Sequence, residues 1–272
     1  MVSAASGKYT MTEIINISPD QFKVFLLVLT RVSVILFLFP IFGTQVLPGL
    51  VKTGLALVIS LGLYTVVTID PLLFPHSLAG FLIFMVSELI VGAVLGLSVR
   101  LFFTAIQLAG QLVSFQMGFA MINVIDPQSG GQVSILDQLA YWVVLLVFLL
   151  LGGHHIMICA ISESFQLIDV GTVSLQKELM EKFLTLSADI FILSLKIGAP
   201  GMVALLFVST AFGLSAKFSP QMNILIAAFP VNIVVGLFFF GISLQIIVMA
   251  TRSYLIKLPL LFTTILTLLG AQ

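Results

Sequence analysis

Residues 224–250 read ILIAAFPVNIVVGLFFFGISLQIIVMA and contain no Asp, Glu, Lys or Arg. As one helix this stretch rises about 40 Å, against a bilayer hydrocarbon core of about 30 Å. Backbone in lipid must satisfy its own hydrogen bonds, so a run of this kind reads as a helix and not an open strand. The alternating pattern of a membrane β-barrel is absent.

Outward from this segment, further apolar stretches long enough to cross a bilayer lie at 22–39, 47–69, 78–103, 135–160 and 183–214. The expected fold class is all-α: a polytopic membrane protein of about six long, kinked helices and helical hairpins, in one domain. Composition agrees. Of 272 residues, 60% are hydrophobic and 8% are charged, against about 25% charged in soluble domains. Mean hydropathy is +1.25. The 24 phenylalanines outnumber one Trp and four Tyr, which leaves little for an interfacial aromatic belt.

Formal net charge is zero, so no basic field exists to hold nucleic acid. A single cysteine, Cys159, excludes an internal disulfide and a Cys-rich metal site. Residues 1–21 lack a basic n-region beside a short apolar core, and no small-residue cleavage site follows Phe39. The first apolar stretch is therefore expected to be retained, with Met11 a second possible start.

Two stretches are too long for plain spans. Residues 183–214 would reach about 48 Å and 78–103 about 39 Å. Pro200-Gly201 lies near the middle of the former, which predicts a kink or a break there. Asp189 and Lys196 lie in the same stretch, and each costs about 2.5–3.5 kcal/mol near a helix centre. The strong apolar residues return about 0.3–0.6 kcal/mol each on that scale, so the sums nearly cancel. This stretch is expected to need protein partners. With six spans, Lys8, Lys177, Lys182, Arg252 and Lys257 fall on one side, and Lys52, Arg100 and Lys217 on the other. That bias leans toward cytoplasmic termini.

The segment from Thr104 to Ser134 interrupts the pattern. Residues 105–132 read AIQLAGQLVSFQMGFAMINVIDPQSGGQ. Gln107, Gln111, Gln116 and Asn123 alternate with Phe115, Met117, Phe119 and Met121, and Gly110, Gly118, Gly130, Gly131 and Pro127 break regularity. A water-exposed loop would not hold that much Phe and Met, and a lipid-facing helix would not hold that many amides. The mixture suits a segment buried in protein or lining a cavity. Methionine adapts to irregular gaps, as a re-closable seal requires; an ordinary re-entrant or packing loop is the alternative.

Other features are simpler. His154 and His155 point about 100° apart on a helix. His155 and Cys159 share a face but are fewer than the ligands a zinc site uses, so hydrogen bonding to neighbouring helices is expected and no metal or cofactor is assigned. Gly92 and Gly96 form a G-x-x-x-G pair, which permits close helix packing. Arg31, Glu88, Asp137, Asp189 and Lys196 are intramembrane charges by position. They would bind ions or relay protons in a transporter, or pair across subunits in an assembled gate. No H-E-x-x-H, G-x-S-x-G or phosphate-cradling glycine motif occurs, so the chain is not expected to be an enzyme.

Arg31 followed by Pro40, Gly43 and Pro48 resembles the opening of the FliR family of flagellar biosynthetic proteins. Gln116-Met117-Gly118-Phe119-Ala120, then Asp126-Pro127, is similar to that family's most recognisable motif. Gly153-His154-His155, Ser164-Phe165 and Gly171 fit next, followed by Lys196, Gly198, Pro200, Gly213-Leu214 and Lys217. Pro220-Gln221-Met222-Asn223 and Phe229-Pro230 complete the series. The pieces keep their order over residues 31–236. Ser134 and Asp169 stand where the family pattern carries proline, which leaves open the related virulence-type (injectisome) type III secretion subunit.

The resemblance implies a non-enzymatic subunit of the flagellar type III protein export gate in the bacterial inner membrane and flagellar basal body. It implies helical assembly with FliP-like and FliQ-like subunits around a channel, FlhB-like and FlhA-like export partners, and unfolded flagellar proteins as cargo. Residues 1–160 would be the FliP-like portion and 183–250 a FliQ-like helical hairpin. The loop at about 104–134 would form an internal channel plug, with Phe115, Gln116, Met117, Gly118 and Phe119 as its sealing residues. Arg31, Glu88, Asp189 and Lys196 would be structural or inter-subunit polar residues. A secondary transporter using Glu88, Asp189 and Lys196 is the reading from another class.

Overall fold

The computed structural model describes residues 19–43, 48–65, 77–119, 134–169, 171–174, 176–218 and 224–270, with Pro75 and Gln221. Asp126-Pro127, Asn123, Met121 and the Met222-Asn223 pair lie outside the described residues, as does the proposed start at Met11. All regular structure among the described residues is helical. Helix α1 spans Pro19–Leu38, α2 is the single turn Pro40–Gly43, and α3 spans Gly49–Tyr64. Three very long helices follow: α4 at Leu78–Met117, α7 at Lys177–Phe218 and α8 at Ile224–Gly270. Between α4 and α7 lie α5, Ile135–Leu150, and α6, Gly153–Leu167.

Glycine and proline set the ends of these elements. The Ser77 side chain accepts the Gly80 N–H at 3.1 Å and caps the start of α4. Its other end closes on Gly118 at φ 92°. There Gly118 N–H donates to Phe115 C=O at 3.1 Å and Phe119 N–H to Ser114 C=O at 3.3 Å, the paired bonds of a Schellman cap. Helix α4 thus runs unbroken past Thr104, and the expected interruption begins only at Gly118. The amides of that segment did not prevent a helix because most of them lie on its exposed or half-buried face.

Three other expectations are corrected. The stretch 135–160 is not one helix: α5 and α6 meet at a 68° bend, where Gly152 takes φ 76° and the Phe148 ring occupies the space a side chain on Gly153 would need. The 183–214 stretch is not broken, since α7 continues across Pro200. Gly198 and Gly201 seat that region against Ala109 and Val113 of α4, and packing of this kind offsets the lost hydrogen bond. Finally, α8 continues to Gly270. Arg252 and Lys257, read as loop charges, are helical. The buried stripe Leu255, Leu258, Phe262, Ile265, Leu266 and Leu269 holds the added turns in the core.

Contacts give the directions. Gly92 and Gly96 of α4 meet Arg31 and Leu38 of α1 in ascending order, so α1 and α4 run parallel. Met117 and Phe102 of α4 meet Gly236 and Tyr254 of α8 in descending order, so α8 is antiparallel. Helix α5 also descends, with Asp137 against Gly110 and Phe148 against Phe103. The low end of the bundle is tied by Ser174 N–H donating to Leu269 C=O at 2.9 Å.

Among the described residues four helices are apolar and long enough to cross a membrane, or five spans if the bent α5–α6 pair counts as one. Helix α3 is a shorter apolar helix. Helices α4, α7 and α8 measure about 60, 63 and 70 Å along their axes, roughly twice the hydrocarbon core. Even a 40° tilt, the upper end of the usual range, would leave all three longer than the core.

Candidate functional site

Two buried constellations stand out, one in the N-terminal bundle and one at the upper end of α4. The first begins with glycine. Glu88, Gly92 and Gly96 share one face of α4, four residues apart in succession. A Cβ on Gly92 would stand 3.0 Å from the Arg31 carbonyl oxygen, and one on Gly96 2.7 Å from Leu38 Cβ. The G-x-x-x-G pair therefore packs α1 onto α4. This approach carries the Arg31 side chain to Glu88, one turn below Gly92.

The result is a forked pair. Arg31 Nε and Nη2 donate to Glu88 Oε2 and Oε1 at 2.5 and 3.0 Å, and both side chains are fully buried, at 0% and 1% exposure. Helix α6 completes the site: Arg31 Nη1 donates to Ser164 Oγ at 3.0 Å, and that hydroxyl donates to Ile161 C=O at 2.7 Å. Phe165 lays its ring 4.0 Å from the guanidinium carbon, a cation–π contact. One charge pair thus ties three helices. A buried pair is tolerated when its remaining donors and acceptors are satisfied, as Ser164 does here. Sequence reading named Arg31 and Glu88 but not their union, and gave Ser164 no polar role. A lone Ser on the apolar face of α6 was the available signal.

Asp189 and Lys196, the other singled-out charges, do not join this cluster. Both lie on the exposed side of α7, among exposed Phe191, Ile192 and Leu195. Among the described residues neither forms an ion pair. The trio Glu88, Asp189 and Lys196 is not brought together. The His154 and His155 rings lie 4.2 Å apart between centroids, tilted by 38°, Cys159 is exposed, and no group of three metal-ligating side chains occurs among the described residues.

The second constellation is the upper end of α4. Met117 is fully buried and enters a notch at Gly236 of α8, where a Cβ would stand 2.5 Å from the methionine sulfur. Gly118 turns the chain, with Phe229 3.2 Å from where its Cβ would be. Phe119 meets the Phe229 ring edge-on at 6.5 Å. Phe115, 70% exposed, and Gln116 face outward instead. Of the five residues read as a seal, three are therefore clamped to α8 and two project from the bundle. Sequence reading missed Gly236 as the socket, because nothing local marks which helix a glycine faces.

Taken together, the bundle of overlong apolar helices and its internally paired charge define a polytopic helical membrane protein whose residues 22–258 match the model of the bacterial export proteins, family 1. The chain belongs to that family. It is similar to the flagellar biosynthetic protein FliR of Bacillus subtilis (strain 168), 32% identical over 240 residues covering 86% of this chain and 91% of that protein. The FliR of Aquifex aeolicus is 27% identical over 240 residues, covering 88% and 92%. That of Escherichia coli K12 is 27% identical over 213 residues, covering 77% and 79%.

Proposed function

We propose that this chain is the FliR-type subunit of a flagellar type III protein export gate, a non-enzymatic channel component of the bacterial inner membrane. The observation that carries the reading is the outer face of α7. Asp189 and Lys196 stand exposed among large apolar side chains on a helix too long for one bilayer. Facing lipid, each would cost about 2.5–3.5 kcal/mol; against a neighbouring protein each can find a partner. The similarity to FliR proteins over most of both chains supports FliP-like and FliQ-like subunits as those neighbours, with FlhB-like and FlhA-like proteins beyond them.

Within that assembly the end of α4 serves as the channel plug. Phe115 and Gln116 project into the lumen, while Met117, Gly118 and Phe119 anchor the turn to α8. Sealing needs an apolar, deformable contact that forbids a continuous water file. The Phe115 phenyl provides the apolar contact, and the unbranched Met117 side chain in its notch lets the turn give without covalent chemistry.

The test uses the tagged chain in a flagellated host. Its purification should bring small helical membrane subunits with it, and Phe115→Ala with Phe119→Ala should leave that set intact while raising ion leak across the membrane. A chain recovered alone and stable in detergent argues against the gate; unchanged conductance argues against the plug.

A further inference from the structure

A polar cavity of about 230 Å³ opens where α1 ends against α4 and α5, lined in part by Arg100, Thr104 and Gln107 of α4 and by Gln138 of α5. Among the described residues no acidic side chain lines it, and Arg100 forms no ion pair. The Tyr141 hydroxyl is already committed to the Pro40 carbonyl, and Thr104 to the backbone of Arg100. An exposed guanidinium and two side-chain amides remain. They form a donor-rich pocket of net positive charge.

Its height in the bundle identifies what would fill it. Helix α1 rises about 30 Å, the thickness of the hydrocarbon core, and runs parallel to α4 with Leu38 beside Gly96. Arg100 lies one turn further along α4, at the height where a bilayer spanned by α1 alone would end. Trp142 gives independent support. It is the only tryptophan of the chain, it is 40% exposed, and it packs edge-on to Tyr141 at 5.8 Å. Tryptophan concentrates at the headgroup level. Just below Arg100 on the α4 and α1 surfaces, Leu97 and Phe37 are exposed, an apolar surface for acyl chains.

We propose that this cavity binds the phosphodiester of an anionic phospholipid, with Arg100 in a forked contact to its oxygens and Gln107 and Gln138 donating from either side. Arginine matches phosphate geometry in a way that a lysine does not, and a single uncompensated cation favours a headgroup of net negative charge.

The experiment uses the full chain with the subunits that copurify, stripped of lipid in detergent and titrated while intact complexes are weighed by mass spectrometry. The probes are phosphatidylglycerol, phosphatidylcholine of the same chains, and inorganic phosphate. Wild type should retain phosphatidylglycerol at concentrations about tenfold lower than Arg100→Gln, the loss expected for one charged hydrogen-bonded contact. Arg100→Lys should fall between them, and subunit composition should not change. The proposal is overturned if Arg100→Gln binds phosphatidylglycerol like wild type, or if phosphatidylcholine binds equally well. It is also overturned if inorganic phosphate displaces the lipid, which would mark a free-anion site. Loss of a subunit from Arg100→Gln with lipid retained would mark a carboxylate of a neighbouring protein instead. Should Arg100→Gln fail to accumulate, Arg100→Lys and the headgroup comparison in wild type still decide the matter.

Discussion

Removing the carboxylate from Glu88 leaves the Arg31 guanidinium at 0% exposure with only the Ser164 hydroxyl and the Phe165 ring as partners. Glu88→Ala erases both short charge-assisted bonds and strands a charge among apolar helices. Breaking one side of a buried pair costs about 3–5 kcal/mol. For a domain of this size, about 2–4 °C of melting temperature accompanies each kcal/mol, so the variant should melt roughly 6–20 °C lower. The double change Arg31→Met with Glu88→Met should recover most of that loss, because replacing both partners by apolar groups is often neutral. Thermal melting of the purified complex in detergent, read for Arg31→Met, Glu88→Met and the double beside Glu88→Ala, supplies the cycle. Additive losses, or a Glu88→Ala protein that melts like wild type, would show that the pair does not hold α1, α4 and α6 together.

Three further outcomes follow from the packing. Gly236→Leu should lower melting by overpacking against Met117, at about 1–3 kcal/mol, and Met117→Ala in the same chain should relieve part of it; no relief would mean the two do not share the notch. Gly118→Ala should cost about 1–2 kcal/mol because its backbone is left-handed, with Gly118→Asn milder, a ranking read from melting of the same complex. Lys196→Met should improve membrane insertion of the chain expressed alone by about 2.5–3.5 kcal/mol yet reduce the recovery of copurifying subunits. Unchanged recovery would remove the α7 face from the assembly contacts.

The all-α membrane class, and most helix positions, follow from sequence because hydrocarbon leaves a backbone so few choices. Wherever the reading failed, a local signal met a tertiary contact. Pro200 predicted a kink or a break; the helix does not break there, where Gly198 and Gly201 seat α7 against α4. Arg252 and Lys257 fall beyond the last apolar stretch, which the sequence reading ends at residue 250. The buried stripe from Leu255 to Leu269 carries α8 through them, and its helical spacing is present in the sequence. The 68° bend at Gly152 had only a Gly-Gly pair to announce it.

Composition and periodicity by themselves determined the solvent and the all-helical class, since these depend on residues close in sequence; of the charges they placed within apolar stretches, only Arg31 and Glu88 are buried. Which charge meets which was decided only by tertiary structure. Arg31 and Glu88 are 57 residues apart and Arg31 and Ser164 are 133 apart, and their meeting depends on two glycines letting α1 approach α4. The same holds at the end of α4, where Met117 is buried and Phe115 exposed because Gly236 offers a socket on one side only. Such choices depend on which helical faces meet, and a linear chain does not carry that information in any one of its segments.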